Sequence, residues 1–93
     1  MAVDEVLWFE AWGDYVTAHV GRQRHVLHLS LARLESRLDA TRFVRIHRTH
    51  IVNMDHVRAF RPHGKGQLAA ELSDGTRLVV SRSRAKELRD LGV

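Results

Sequence analysis

An Asp-Gly pair at 74–75 stands between two runs rich in β-favouring residues, Gln67 to Leu72 and Thr76 to Val80. Glycine takes positive φ without steric cost and aspartate tolerates it, so this pattern specifies a tight antiparallel hairpin. Much of the chain reads in the same way. Val3 to Phe9 is an apolar strand start, Tyr15 to Val20 resumes as strand after a Gly13-Asp14 turn, and Gly21 with Arg22, Gln23 and Arg24 leads into His25 to Leu29. Residues 5–29 are therefore expected to form two or three antiparallel strands. Phe43 to Asn53 shows two β-favouring pieces flanking a polar kink at His47–His50. Val57 to Arg61 continues as strand before a loop over Pro62-His63-Gly64-Lys65-Gly66. Helical signals are short. Ser30 is placed to cap a helix over about residues 31–38, with Leu31, Leu34 and Leu38 on one face. Ser81 or Ser83 caps a last helix with Ala85, Leu88 and Leu91 inward and Gly92 at its C-cap. The expected class is mostly β, with one or two short helices.

Ninety-three residues with 44% apolar content fill one modest core, so residues 1–93 form a single domain. No run of about 18 apolar residues is present to span a membrane, and the N-terminus lacks the pattern of a secretory signal. The absence of cysteine excludes a disulfide framework and any thiolate metal site, and it suits a reducing compartment, with the cytoplasm as the default. Net charge is +4, carried by thirteen Arg and only two Lys, Lys65 and Lys86. Arginine forks onto phosphate and guanine, so this bias favours directed recognition. The charge is also local: residues 1–41 carry a net −2 and residues 42–93 a net +6.

Seven histidines, densest at His47-x-x-His50 with His56 and His63, raise a metal reading. Zinc needs three or four converging ligands, and here the nearest pair straddles a kink with no helical H-E-x-x-H motif. Neither a metal nor any other cofactor is therefore expected. Acids are scattered singly, and neither a nucleophile elbow nor a phosphate-cradling glycine loop is present, so no enzyme is indicated. The basic constellation says more. Arg42, Arg45, Arg48, Arg58 and Arg61 fall within twenty residues holding one acid, Asp55. Arg77 precedes a second cluster, Ser81-Arg82-Ser83-Arg84, in which guanidinium and hydroxyl donors meet a helix N-terminus suited to phosphate oxygens. Nucleic acid is the favoured partner. A basic module for RNA or protein would use the same arginines, and a His-ligated metal domain is the remaining alternative.

Three separated motifs bring these features together: Trp8-Phe9-Glu10-Ala11-Trp12-Gly13-Asp14-Tyr15-Val16, then Phe43-Val44-Arg45-Ile46-His47-Arg48-Thr49-His50-Ile51-Val52-Asn53, then Val79-Val80-Ser81-Arg82-Ser83. In this order, over nearly the whole chain, they resemble the LytTR-type DNA-binding domain. The resemblance implies an elongated, mostly β domain of short antiparallel sheets, found behind a phosphoacceptor receiver domain in bacterial transcriptional regulators of two-component systems. It implies sequence-specific binding of double-stranded DNA through loops inserted into successive major grooves.

Carried over residue by residue, the resemblance puts base-reading positions at Asp14, Arg48 and Ser83, and phosphate contacts at Arg45, His47 and Ser81. Tyr15 and Thr49 adjoin two of the readers and complete the implied DNA-binding set with Arg82 and Arg84. Asp14 stands where Asn or another donor is usual, and could accept from cytosine or simply close its turn. Ser83 stands where an Arg can read, with arginines on either side. Arg82, nearer the strand end, is expected to be the reader and Arg84 to lie along the backbone. Family members often begin about ten residues upstream with another strand. The expectation is thus a C-terminal domain excised from a longer regulator, with an open edge that dimers or crystal contacts would cover, and a homodimer on DNA is among the expected partners.

Overall fold

The hairpin around Asp74-Gly75 forms, but with a longer connection than a two-residue turn. The computed structural model describes residues 2–90, and within it β7 (Leu68–Leu72) pairs with β8 (Arg77–Val80) in antiparallel register. Within the connection Gly75 alone has positive φ, at 93°, and its N–H donates to the Leu72 carbonyl at 2.9 Å. The result is a three-residue loop closed by Leu72 N–H to the Thr76 carbonyl at 2.8 Å, which leaves Thr76 outside the strand. β6 (Val57–Pro62) completes this sheet in the order β6-β7-β8, with Pro62 tolerated because β6 is an edge.

A second sheet takes up the N-terminal half. β1 (Trp8–Trp12), β2 (Tyr15–Val20), β3 (Gln23–Leu27), β4 (Phe43–His47) and β5 (His50–Asn53) lie in the order β3-β2-β1-β5-β4, antiparallel throughout. The fold class read from the sequence is thus the one observed, with extents of 34 × 24 × 23 Å. Boundaries shift in three places. Val3–Glu5 is a single 3-10 turn, so the first strand starts at Trp8 rather than Val3. Gly21 and Arg22 alone make the second turn, so β3 begins at Gln23. The polar kink is a two-residue turn, Arg48-Thr49, joining β4 to β5. The chain therefore opens close to the central strand of the larger sheet, whose edges are β3 and β4.

Helix α1 (Leu31–Arg37) starts where the Ser30 hydroxyl accepts from Arg33 N–H at 3.1 Å, and Leu31 and Leu34 are buried. Leu38 follows as its extended C-cap. Helix α2 spans Arg82–Asp90 with Ala85 and Leu88 buried; the expected roles of Leu91 and Gly92 lie outside the described residues.

Side chains alternate along the larger sheet and feed two cores. Phe9, Val16, Ala18, Phe43 and Ile51 meet α1 on one face. Ile46 and Val52 meet Leu72, Val80, Ala85 and Leu88 on the other, joining the small sheet and α2 to it. Between them sits Asn53, fully buried. Its side-chain N–H donates to the Val6 carbonyl at 2.9 Å and its oxygen accepts from Asp55 N–H at 3.0 Å. Both partners are backbone groups, which the truncated side chain would leave without this bond. Asn53→Ala is expected to lower stability by about 2 kcal/mol, read as a lower urea midpoint at unchanged slope.

Candidate functional site

The register of the larger sheet brings two turns to one end. β1 ends at Trp12 and β2 begins at Tyr15 as a cross-strand pair, with Gly13-Asp14 between them. Gly13 has φ of 61° and Asp14 does not have positive φ, which is the pattern of a type II′ turn. The glycine makes this turn; the Asp14 carboxylate is exposed and has no hydrogen-bond partner among the described residues. Beside it, Ala11 N–H donates to the Thr49 carbonyl at 2.8 Å, so the Arg48-Thr49 turn lies at the same end.

The Arg48-Thr49 turn is not one a two-residue hairpin prefers, because neither residue has positive φ. A register shift between Arg45 and His47 absorbs the mismatch, and Arg45 holds it. Its Nε donates to the His47 carbonyl at 3.1 Å and its Nη2 to the Arg48 carbonyl at 2.6 Å, while Nη1 contacts Glu35 of α1 at 3.0 Å. The Arg45 side chain is only 16% exposed. Three of five guanidinium N–H groups are thus committed within the protein, and two remain. His47 Nδ1 and the Thr49 hydroxyl lie 2.9 Å apart, fixing the other flank of the turn. Arg48 itself points its guanidinium into solvent without a partner among the described residues.

A third segment arrives through the small sheet. Ser81 N–H donates to the Ile46 carbonyl at 2.8 Å, carrying the start of α2 to the same end of β4. Ser81 is the N-cap: its hydroxyl accepts from Arg84 N–H at 3.4 Å and its carbonyl from Ala85 N–H at 2.8 Å. Ser83 is therefore in the first turn and free to face outward. Arg45, His47, Arg48, Ser81, Ser83 and Arg84 line one open depression of about 380 Å³. Arg84 also reaches Glu87 at 3.2 Å. Arg82 is exposed and does not line the depression, so of the two flanking arginines it is Arg84 that shares it with Arg48.

The remaining arginines of the basic stretch are placed elsewhere. Arg42 bridges Asp55, at 2.6 and 2.9 Å, and Asp4, at 2.7 Å. Arg58, Arg61 and Arg77 surround Glu71 on the small sheet, at 3.6, 3.0 and 4.0 Å. Proximity in sequence therefore overstated the cluster at the working end. Glu35, which anchors Arg45, carried no signal in the sequence beyond lying off the apolar stripe of its helix.

Histidines behind the turns stack rather than converge. Trp8 lies parallel to His19 with ring centroids 3.9 Å apart, and His50 tilts against Trp8 at 5.2 Å and His47 at 5.4 Å. Among the described residues no three metal-ligating side chains meet at one point. Burial, and then the neighbouring His47 and His19, hold the His50 pKa below its ordinary 6.5, with Glu10 opposing. The unfolded chain thus protonates His50 first as pH falls, so stability is present above about 6.5 and is lost as pH drops toward the lower folded value. Acidification across that window is expected to lower the melting temperature, and His50→Gln to flatten the dependence. Parallel pH profiles for the two proteins would refute the assignment.

Comparison with known proteins fits this geometry. Residues 1–92 match the family described as the LytTr DNA-binding domain. The chain is similar to the CO-responsive transcriptional regulator RcoM of Rhodospirillum rubrum, 38% identical over 87 residues, covering 92% of this chain and 37% of that protein. It is also similar to the transcriptional regulatory protein BtsR of Escherichia coli K12, 37% identical over 78 residues, covering 84% of this chain and 31% of BtsR. The chain thus spans about a third of the length of these curated relatives. A solved LytTr DNA-binding domain from Bacillus cereus superposes with a TM-score of 0.90 at 27% identity, covering 98% of this chain and 84% of that one.

Proposed function

The chain belongs to the LytTr DNA-binding domain family, and from that membership we propose that it reads specific sequences in double-stranded DNA for a bacterial transcriptional regulator, inserting its turns into successive major grooves. The observation that carries the reading is that three segments far apart in sequence, at residues 13–14, 48–49 and 81–84, come to one end of the molecule, two of them around a common depression. A two-stranded ribbon fits the major groove, where each base pair shows a distinct set of donors and acceptors. Arg48, exposed and without an internal partner, is the base reader. His47, the Ser81 and Thr49 hydroxyls and the two remaining Arg45 N–H groups face phosphates. Asp14 accepts from a base amino group rather than approaching a phosphate, and Tyr15 and Ser83 border the readers.

The domain works by binding alone, in the cytoplasm where the chromosome lies, without a cofactor. It forms the C-terminal part of a longer regulator behind a receiver or other sensory domain. Two copies, as a homodimer, occupy neighbouring sites on the DNA. An RNA or protein module built on the same arginines is the competing reading. A salt titration on duplex DNA, single strands and RNA separates the readings, and equal affinity for all three would exclude sequence-specific duplex reading.

Selecting preferred sites from random duplexes supplies the ligand for two tests. Arg48→Ala is expected to cost about 1–3 kcal/mol on the preferred site and little on random DNA, with the melting temperature unchanged. Equal losses on both would reduce Arg48 to a phosphate contact. Within the α2 start, Arg84→Ala is expected to relax preference at one or two base pairs. Arg82→Ala should instead flatten the slope of log K against log salt by about one unit and leave preference intact. The reverse pattern would return the reading role to Arg82.

A further inference from the structure

One face of the larger sheet is only half covered. Trp8, Val44 and Val52 on that face join the core shared with the small sheet and α2. The half nearer the Gly13-Asp14 turn carries Trp12, Tyr15, Thr17 and Val26, which belong to neither core among the described residues, Tyr15 meeting only the edge of the His28 ring at 4.8 Å. The register places them together: Trp12 opposes Tyr15, and Thr17 opposes Val26. Trp12 is 75% exposed, Val26 59% and Tyr15 45%. Trp12 and Val26 are walls of one groove of about 410 Å³, whose floor and far side are polar, with Glu10, Thr17, His19 and Arg24. Single exposed apolar side chains are ordinary, but large ones grouped on one face mark a contact surface.

Its position says what it contacts. The hydrogen bond from Ala11 N–H to the Thr49 carbonyl sets Trp12 one residue beyond the point where β1 meets the Arg48-Thr49 turn. The patch is therefore continuous with the end that carries Arg48 and Asp14. The neighbouring Asp14 carboxylate is a poor partner for phosphate and an acceptor for a base amino group, which suits this turn to base edges rather than to the backbone. The thymine C5-methyl is the apolar group displayed among base edges in the major groove. We propose that Trp12 is a specificity-determining residue whose indole covers the methyl group of a thymine in the groove that the Gly13-Asp14 turn enters. This rests on the DNA-reading function above and deepens it by naming a base contact outside the set of DNA-binding residues that the resemblance implies.

The test uses the preferred duplex, with each thymine replaced in turn by deoxyuridine, which removes the methyl group and nothing else. Kd is measured at one salt concentration for the unaltered protein, Trp12→Ala and Trp12→Phe. At one thymine, loss of the methyl is expected to weaken the unaltered protein by about three- to fivefold. Trp12→Ala should be indifferent to that same change, and Trp12→Phe should retain part of the discrimination. Because the side chain is exposed, all three proteins should melt alike. Trp12→Ala weakening thymine and uracil duplexes equally, or every methyl being dispensable in the unaltered protein, overturns the proposal. So does a DNA-free dimer that Trp12→Ala splits into monomers, since the patch would then join two copies. A protein that selects no site overturns the DNA-reading function and this contact with it. One that selects a site through Arg48 yet ignores thymine methyls overturns this contact alone.

Discussion

Alternation along β1 and β5 is the constraint on which the structure depends. Successive side chains of a strand point to opposite faces, and here both faces are needed. Phe9 and Ile51 enter the core beneath α1, while Trp8 and Val52 border the core shared with the small sheet and α2. One sheet is thereby sandwiched over part of its area and supplies side chains to both cores. A shift of one residue in the β1–β5 register would exchange these sets and empty both cores. The buried Asn53 amide guards against that shift, since it ties the end of β5 to the backbone at Val6, just before β1.

The same arrangement makes the working end. Because β8 runs into α2 beside β4, the Ser81–Ile46 hydrogen bond delivers a helix start to the flank of a hairpin turn. The two clusters of donors meet there without either lying on a recognition helix of the helix-turn-helix kind. Arg45 has a part in this that differs from a simple surface cation. It spends donors on the carbonyls of His47 and Arg48, supporting a turn without positive φ and presenting the Arg48 side chain outward. The ion pair with Glu35 links that support to α1, so the helix packed on one face of the sheet steadies a loop at its end.

Legibility in the sequence followed the range of the interactions. Local signals were readable: the Ser30 cap, the Gly13 and Gly21 turns, and the hairpin around Gly75 depend on φ preferences and contacts within a few residues. Misreadings were also local in kind. Val3 to Phe9 reads as one strand start, yet Val3–Glu5 forms a 3-10 turn closed by Val6 N–H to the Val3 carbonyl, and the strand begins only at Trp8. Asp74-Gly75 suggested a two-residue turn, whereas the loop takes three residues with one positive φ.

By itself the sequence determined the class of the fold, the two short helices, the polarity of the charge and, through three motifs in order, the family. These follow from short-range stereochemistry and from residue patterns that survive without coordinates. Only the tertiary structure decided which arginines work together. Arg42, Arg58 and Arg61 are near Arg48 in sequence and Arg77 is near the Ser81–Arg84 run, but pairing of strands sends them to Asp4, Asp55 and Glu71. Arg84, dozens of residues away, is carried to the depression beside Arg48. The physical reason is that strand pairing and core packing, which join residues distant along the chain, set where each side chain emerges.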